Sequence, residues 1–298
     1  MKIVNVIGGL GNQLFQYAFA VALKVHNPDE NILLDTSHFH SVFFKKYKGR
    51  NLHYGYEIDK ILDNVIIPLA KPGHLIRVTN YVPNYLLSRF VRRYFPKRKS
   101  EYIEKQDFTF DTEALCQNGD RYYEGYWQAA DYFYGIEDKI REAFKFKPLD
   151  KCNMEWVNRL QNQCSVSVHV RRGDYVTNKG FGGICDLDYY TRAIKYVLEH
   201  VNNPVFYIFS NDIKWCEDNI KPLITDSLCT FVSHNKGKDS YKDMELMSYC
   251  KTNIIANSSF SWWGAFLNHN DDALVISPQK WNNRFDKVDT YCKTWVRL

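Results

Sequence analysis

From Ser165 to Val170 the chain alternates strictly. Val166, Val168 and Val170 interleave with Ser165, Ser167 and His169, which is the period of a β-strand. Further strand-like runs fall at 205–210, 228–233, 253–256 and 274–277. Between them Tyr190, Ile194, Val197 and Val201 recur at helical spacing, Asp212 is placed to cap a helix running to Ile220, and 243–250 and 259–268 read as two more helices. Strands alternating with helices predict a parallel sheet wrapped by helices. In the first half, 3–7 and 31–35 read as strands, 12–25 as a helix, and 121–127 as a strand leading into a helix over 129–144. Residues 36–120 are aromatic and irregular and predict no clear elements. Lys147-Pro148-Leu149-Asp150 marks a break, and the expected division is an N-terminal domain over 1–155 and a C-terminal domain over 156–298.

A chain of 298 residues, 45% hydrophobic and 24% charged, can bury two cores and is not disordered. Its net charge of +5 permits anionic ligands without marking a nucleic-acid binder. The apolar run at 1–7 is too short for a signal peptide, and no stretch approaches a membrane span, so a cytoplasmic location is expected. The eight cysteines form no C-x-x-C pair and no zinc-like cluster, which favours free thiols over disulfides. The segment 88–100 mixes basic and aromatic residues. It reads either as a solvated basic helix end or as a peripheral contact with an anionic membrane.

In open α/β sheets ligands sit beyond the carboxyl ends of the strands. Four polar clusters fall there: His169 with Arg171, Arg172 and Asp174; Ser210-Asn211-Asp212; Ser233-His234-Asn235; and the run from Asn257 to Trp263. Period two puts His169 and Arg171 on one face and Arg172 on the other. A guanidinium at a strand end can grip a phosphate with two parallel hydrogen bonds. Ser258 and Ser259, at a strand-to-helix turn, can bind phosphate or simply cap the helix. Asp212, beside Asn211, can likewise cap a helix or accept from the amino and ring N–H groups of guanine. Gly8-Gly9-Leu10-Gly11-Asn12-Gln13 departs from the dinucleotide fingerprint, because Leu14 holds the third glycine position. Its glycines allow close approach of a ligand to which Asn12 and Gln13 could donate; a tight strand-to-helix turn is the plainer account. Asp186-Leu187-Asp188 reads as helix-start chemistry rather than a metal site, and His38-Phe39-His40 lacks further ligands nearby.

Three blocks carry a family resemblance: Gly8 to Ala18, His169-Val170-Arg171-Arg172-Gly173-Asp174-Tyr175, and Asn257 to Ala265, with Gly125-Tyr126-Trp127-Gln128 a weaker fourth. In them the chain resembles the bacterial α-1,2-fucosyltransferases of glycosyltransferase family 11. The resemblance implies a GT-B-like architecture, two Rossmann-like domains facing each other across a cleft. It also implies a GDP-β-L-fucose donor, inversion at the anomeric carbon, no metal and no cofactor, and transfer to the 2-OH of a terminal galactoside. The acceptor it suggests is a β-galactoside-terminated oligosaccharide, lipid-linked forms included, and the location becomes the cytoplasm or the inner face of the membrane. Arg171 then looks like the clamp on the departing β-phosphate and Arg172 its supporting neighbour. His169 resembles a residue near the guanine, and Asp212, with Asn211, the guanine-reading carboxylate. Ser258, Ser259 and Phe260 would touch diphosphate and fucose. Gly9, Gly11, Asn12 and Gln13 would face the donor from the other domain, and Trp127 and Gln128 would lie on the acceptor side. The related α-1,6 enzymes place a Glu a few residues past the arginine pair, where this chain has Asn178. Asp174, Asp186 and Asp188 remain as candidate bases. Other regiochemistry, another GDP-sugar, or a non-catalytic glycan- or nucleotide-binding module are the alternatives.

Overall fold

The computed structural model describes residues 1–40, 54–82, 84–224 and 227–298, the side chains of Tyr85, Leu86, Arg89 and Asp174 excepted. The chain forms two compact units, 1–147 with 289–291, and 148–288 with 292–298. Residues 148–155, assigned to the first domain from sequence, thus belong with the second. A cut at 155/156 would fall inside a helix, Lys151–Gln161, whose N-cap Asp150 accepts from Asn153 N.

In the first unit β1 (Lys2–Asn5), β2 (Ile32–Asp35), β3 (Glu101–Ile103) and β4 (Arg121–Glu124) form an all-parallel sheet in the order β2-β1-β4-β3. The helices described here are α1 (Leu10–His26), α2 (Ile58–Ile61), α3 (Pro72–Val78), α4 (Tyr85–Tyr94), α5 (Thr112–Leu115) and α6 (Glu137–Ala143). α1 is buried from Gln13 to Leu23 because its sequence is apolar on nearly every side. Phe19 on it stacks on Trp127 at 4.2 Å between ring centroids. The helix expected over 129–144 is broken. A short 3-10 turn at Ala130–Tyr132 precedes Gly135, whose φ of +78° ends the run before α6 begins. β3 lay in the stretch that predicted nothing, and three residues are too few to display a period.

The second unit carries β5 (Ser165–Val170), β6 (Val205–Ser210), β7 (Leu228–Val232), β8 (Thr252–Ile254), β9 (Leu274–Ser277) and β10 (Val296–Arg297). All pairings are parallel, in the order β10-β9-β8-β5-β6-β7. Its helices are α7 (Lys151–Gln161), α8 (Asp174–Thr177), α9 (Leu187–His200), α10 (Ile213–Asn219), α11 (Tyr241–Ser248) and α12 (Ser259–Phe266). The predicted strands and helices of this half appear within a few residues of their expected ends. Chain order runs outward from β5 in one direction and from β8 in the other, so the β5/β8 pair is the switch point where α/β sheets open a crevice.

Every residue of β5 is buried, its polar ones included. The alternation marks two covered faces rather than one covered and one wet. Ser165 Oγ donates to Leu160 O at 2.7 Å, and Ser167 Oγ accepts from Asn253 Nδ2 at 2.7 Å. The polar row is satisfied internally until it reaches His169.

Candidate functional site

A cavity of about 620 Å³ opens at the carboxyl ends of β5, β6 and β7, within the second unit. His169 and Arg171 line it together, as their shared strand face predicts, and Phe260 at the start of α12 closes one side with its ring 5.7 Å from that of His169. His169 Nδ1 is buried without a hydrogen-bond partner. Desolvation, with the nearby Arg171 cation, holds the imidazole pKa down at about 3, so the ring is neutral and has a nitrogen to offer a ligand. The Arg171 guanidinium lies over the Tyr175 ring at 5.3 Å.

Arg172 turns away, as the pleat requires. Its Nε donates to Asp212 Oδ2 at 3.1 Å, and its guanidinium stacks on Trp215 at 4.2 Å. Its backbone N–H donates to Asn211 Oδ1 at 2.9 Å, and Asn211 itself reaches the cavity wall. Asp212 does not line the cavity. One of its oxygens caps α10 by accepting from Trp215 N, and the other holds Arg172. Of the two accounts read from sequence, the geometry presents the capping one, with Asp212 also anchoring Arg172.

Asp243, in the first turn of α11, is the carboxylate that does reach the cavity. Its Oδ1 accepts from Asn235 Nδ2 at 2.9 Å. Asn235 is gripped in turn by the buried Asn153 of α7, whose Nδ2 donates to Asn235 Oδ1 at 3.1 Å and whose Oδ1 accepts from Asn235 Nδ2 at 2.9 Å. The His234 ring stacks on Trp156 at 5.4 Å. Thus α7, which the sequence suggested only as a boundary, buttresses the loop after β7. Burial raises the Asp243 pKa to about 7, partly offset by the Asn235 bond. In sequence Asp243 looked like an ordinary acid at a helix start.

Ser258 caps α12, with its Oγ accepting from Phe260 N at 3.4 Å, and Ser259 is half-buried in the first turn. Asn257 pins two loops, donating from Nδ2 to Phe181 O at 3.0 Å and to Trp281 O at 3.1 Å. Asp186 caps α9 by accepting from Tyr189 N, and Asp188 sits exposed in its first turn. The carboxylate of Asp174, the other candidate base, lies outside the described side chains. Among the described residues no three His, Cys, Asp or Glu side chains gather as metal ligands. Nor, among them, is any helix long and apolar enough to cross a membrane.

In the first unit the polar side chains of the glycine loop bond to other parts of the same unit. Gln13 is fully buried. Its Nε2 donates to Gly8 O at 3.0 Å and Gly55 O at 2.9 Å, and its Oε1 accepts from Glu57 N at 2.9 Å. Asn12 Oδ1 accepts from Gln128 Nε2 at 2.7 Å. Gly9 is the N-cap of α1, and Gly11 is buried in its first turn. These contacts correct the expected donor-facing role of Gln13, which has no donor left to give. Trp127, expected on the acceptor side, is fully buried with its ring stacked on Phe19, and Gln128 is buried beside it, so neither side chain presents an open surface. Gly8 is the constrained glycine, with φ +83° and a Cβ position 2.7 Å from Asn12 Nδ2. Gly8→Ala is expected to destabilise the fold by about 1–2 kcal/mol through backbone strain, read as a lowered midpoint in urea unfolding.

Two all-parallel α/β units with a cavity at the carboxyl ends of the strands are the architecture of a GT-B-like fold, and comparison with known proteins agrees. The structure matches an α-1,6-fucosyltransferase, NodZ, soaked with GDP-fucose, at a TM-score of 0.51 and 13% identity over 89% of this chain and 91% of that one. The model of glycosyl transferase family 11 matches residues 1–298, and the chain belongs to that family. It is 34% identical to an alpha-1,2-colitosyltransferase of Escherichia coli, over 99% of this chain and 98% of that protein. It is 26% identical to galactoside alpha-(1,2)-fucosyltransferase 2 of Rattus norvegicus, over 97% of this chain and 73% of that protein.

Proposed function

We propose that this glycosyltransferase moves L-fucose from GDP-β-L-fucose to the 2-OH of a terminal β-galactoside, with inversion and without a metal. The observation that carries the reading is the cavity that joins Arg171, His169 and Asp243 at the carboxyl ends of the strands. Arg171 clamps the β-phosphate. As the glycosidic bond to phosphate breaks, positive charge grows on the sugar and negative charge on the leaving diphosphate, as in other oxocarbenium-like displacements. A fixed guanidinium aimed at that phosphate stabilises the transition state more than the ground state. Asp243 accepts from guanine N1–H and the 2-amino group. Adenine presents an acceptor at N1 and would be repelled. Neutral His169 gives its free nitrogen to the nucleotide, and Phe260 packs against the donor. Arg172, Asn211 and Asp212 position the turn that carries Arg171. Ser258 and Ser259 present the amino end of α12 to the diphosphate.

A second reading concerns the donor sugar, and the relative named for colitose transfer favours it. Colitose is L-fucose without its 3-hydroxyl, so the same nucleotide chemistry and the same 1→2 linkage would serve both. The purified protein is to be given GDP-fucose and GDP-colitose separately, with a β-galactoside-terminated oligosaccharide, and the product linkage determined. Transfer of fucose to O2 is the expected result. Faster transfer of colitose would move the assignment to the second donor, and a linkage other than 1→2, or no transfer from either, would sink both.

A further inference from the structure

The helix α4 is built inside out. At 100° per residue Leu87, Phe90 and Tyr94 fall within about 60° of one another on one side. These side chains are 51%, 53% and 64% exposed, and Phe95, next in the chain, is 58% exposed. The opposite side carries Ser88 and Arg92, and both are buried. Ser88 Oγ donates to Val82 O and accepts from Val82 N, each at 2.8 Å. Arg92 Nη1 donates to the Tyr122 hydroxyl at 2.6 Å, which donates to Asp35 Oδ2 at 2.7 Å. A helix on a water-facing surface buries its apolar stripe and exposes its polar one. Here buried polar anchors set the roll of the helix and turn the apolar stripe outward.

The stretch of chain that bears the stripe carries one sign of charge. From 84 to 100 there are six Arg and Lys residues and no Asp or Glu, and Arg93, Lys97 and Lys99 are exposed. Arg98 Nη1 donates to Ile76 O at 2.7 Å, tying this segment to the end of α3, where the Ile76 side chain is a further exposed apolar group. Exposed Leu and aromatic side chains flanked by cations are what an interfacial helix presents to lipid.

We infer that the α4 face docks on an anionic lipid bilayer. Charge complementarity selects this occupant. A second copy meeting the first across a twofold axis would bring two identical cationic segments together. The stripe of Leu87, Phe90, Tyr94 and Phe95 enters the acyl–headgroup boundary, while Arg93, Lys97 and Lys99 meet lipid phosphates. A ten-residue helix makes this contact shallow and reversible. The inference stands whether or not the donor assignment does.

The test is co-sedimentation of the full chain with vesicles of phosphatidylcholine alone and of phosphatidylcholine with phosphatidylglycerol. Binding is expected only with phosphatidylglycerol and is expected to weaken with added salt. Lys97→Gln and Lys99→Gln should each weaken partitioning roughly fivefold, and Phe90→Glu by about tenfold or more through lost apolar burial. Sugar transfer to a water-soluble acceptor and the thermal midpoint should stay as in the parent for all three. No binding to either vesicle, equal binding to both, or undiminished binding of Phe90→Glu would overturn the inference. So would a concentration-dependent dimer that Phe90→Glu dissolves.

Discussion

Arg171→Lys is expected to keep the fold and lose sugar transfer by about a hundred- to a thousandfold, the effect of removing one well-placed donor to transition-state charge. Lysine retains the positive charge, so the experiment isolates geometry. A guanidinium presents two parallel N–H groups in a fixed plane, whereas an ammonium is a point charge on a flexible stem. Arg171 follows a fully buried strand directly, and its neighbour Arg172 is held by Asp212 and Trp215, so the turn between them has little freedom. Turnover should fall much more than GDP affinity, because the contact strengthens as the phosphate accepts charge. Single-turnover rates and GDP titrations on the same preparation separate the two. A Lys variant that turns over like the parent, or one whose loss is wholly in nucleotide affinity, would remove Arg171 from the transition state.

Asp243→Ala is expected to weaken GDP binding by roughly ten- to a hundredfold, the size of a hydrogen bond from a charged acceptor. Inosine diphosphate supplies the internal control, since it lacks the 2-amino group. The parent should prefer GDP over inosine diphosphate, and the variant should bind the two alike. The pH dependence follows from the raised pKa of about 7. Below that pH the carboxyl carries a proton and cannot accept from both guanine donors. Above it the ionised form is present before the ligand arrives. GDP affinity should therefore rise as pH increases toward about 7 and then level off, beyond what the phosphate itself contributes. Asp243→Ala should lose that added slope. The linked effect on the empty protein has the opposite sense. A carboxyl whose pKa is higher folded than unfolded contributes stability at low pH that is lost as pH rises through about 7. Parallel titrations by calorimetry test both, and an unchanged preference for GDP in the variant would return base recognition to another residue.

Much of the second half was legible in the sequence. β6 and β9 were read to their ends, since buried strands of a parallel sheet are continuous apolar runs bounded by turn residues. His169 and Arg171 were placed on one face by period two alone, and they line one cavity. Membership of the family was written in three contiguous blocks, each of which carries its pattern locally. The irregular stretch was opaque for the converse reason. A three-residue strand such as β3 and four-residue helices such as α2 and α5 show no period, and neighbours distant in sequence create them.

Side-chain roles divided along the same line. The sequence determined which residue types stand at the strand ends and therefore the kind of chemistry available there. It could not say which of two carboxylates lies in the cavity wall. Asp212 and Asp243 both stand in or beside the first turn of a helix after a strand. Only packing shows Asp212 spent on a cap and an arginine, with Asp243 in the cavity wall, held by an asparagine network that begins in α7. Gln13 and Trp127 make the same point: one amide satisfied on every side and one fully buried ring are facts about neighbours more than forty and a hundred positions away. α4 is the sharpest case. Its basic and aromatic residues left open a solvated helix end or a membrane contact, and the tertiary structure alone decided which side faces out, because Tyr122 and Val82 offered buried partners to Arg92 and Ser88 and so left Leu87, Phe90 and Tyr94 to the surface.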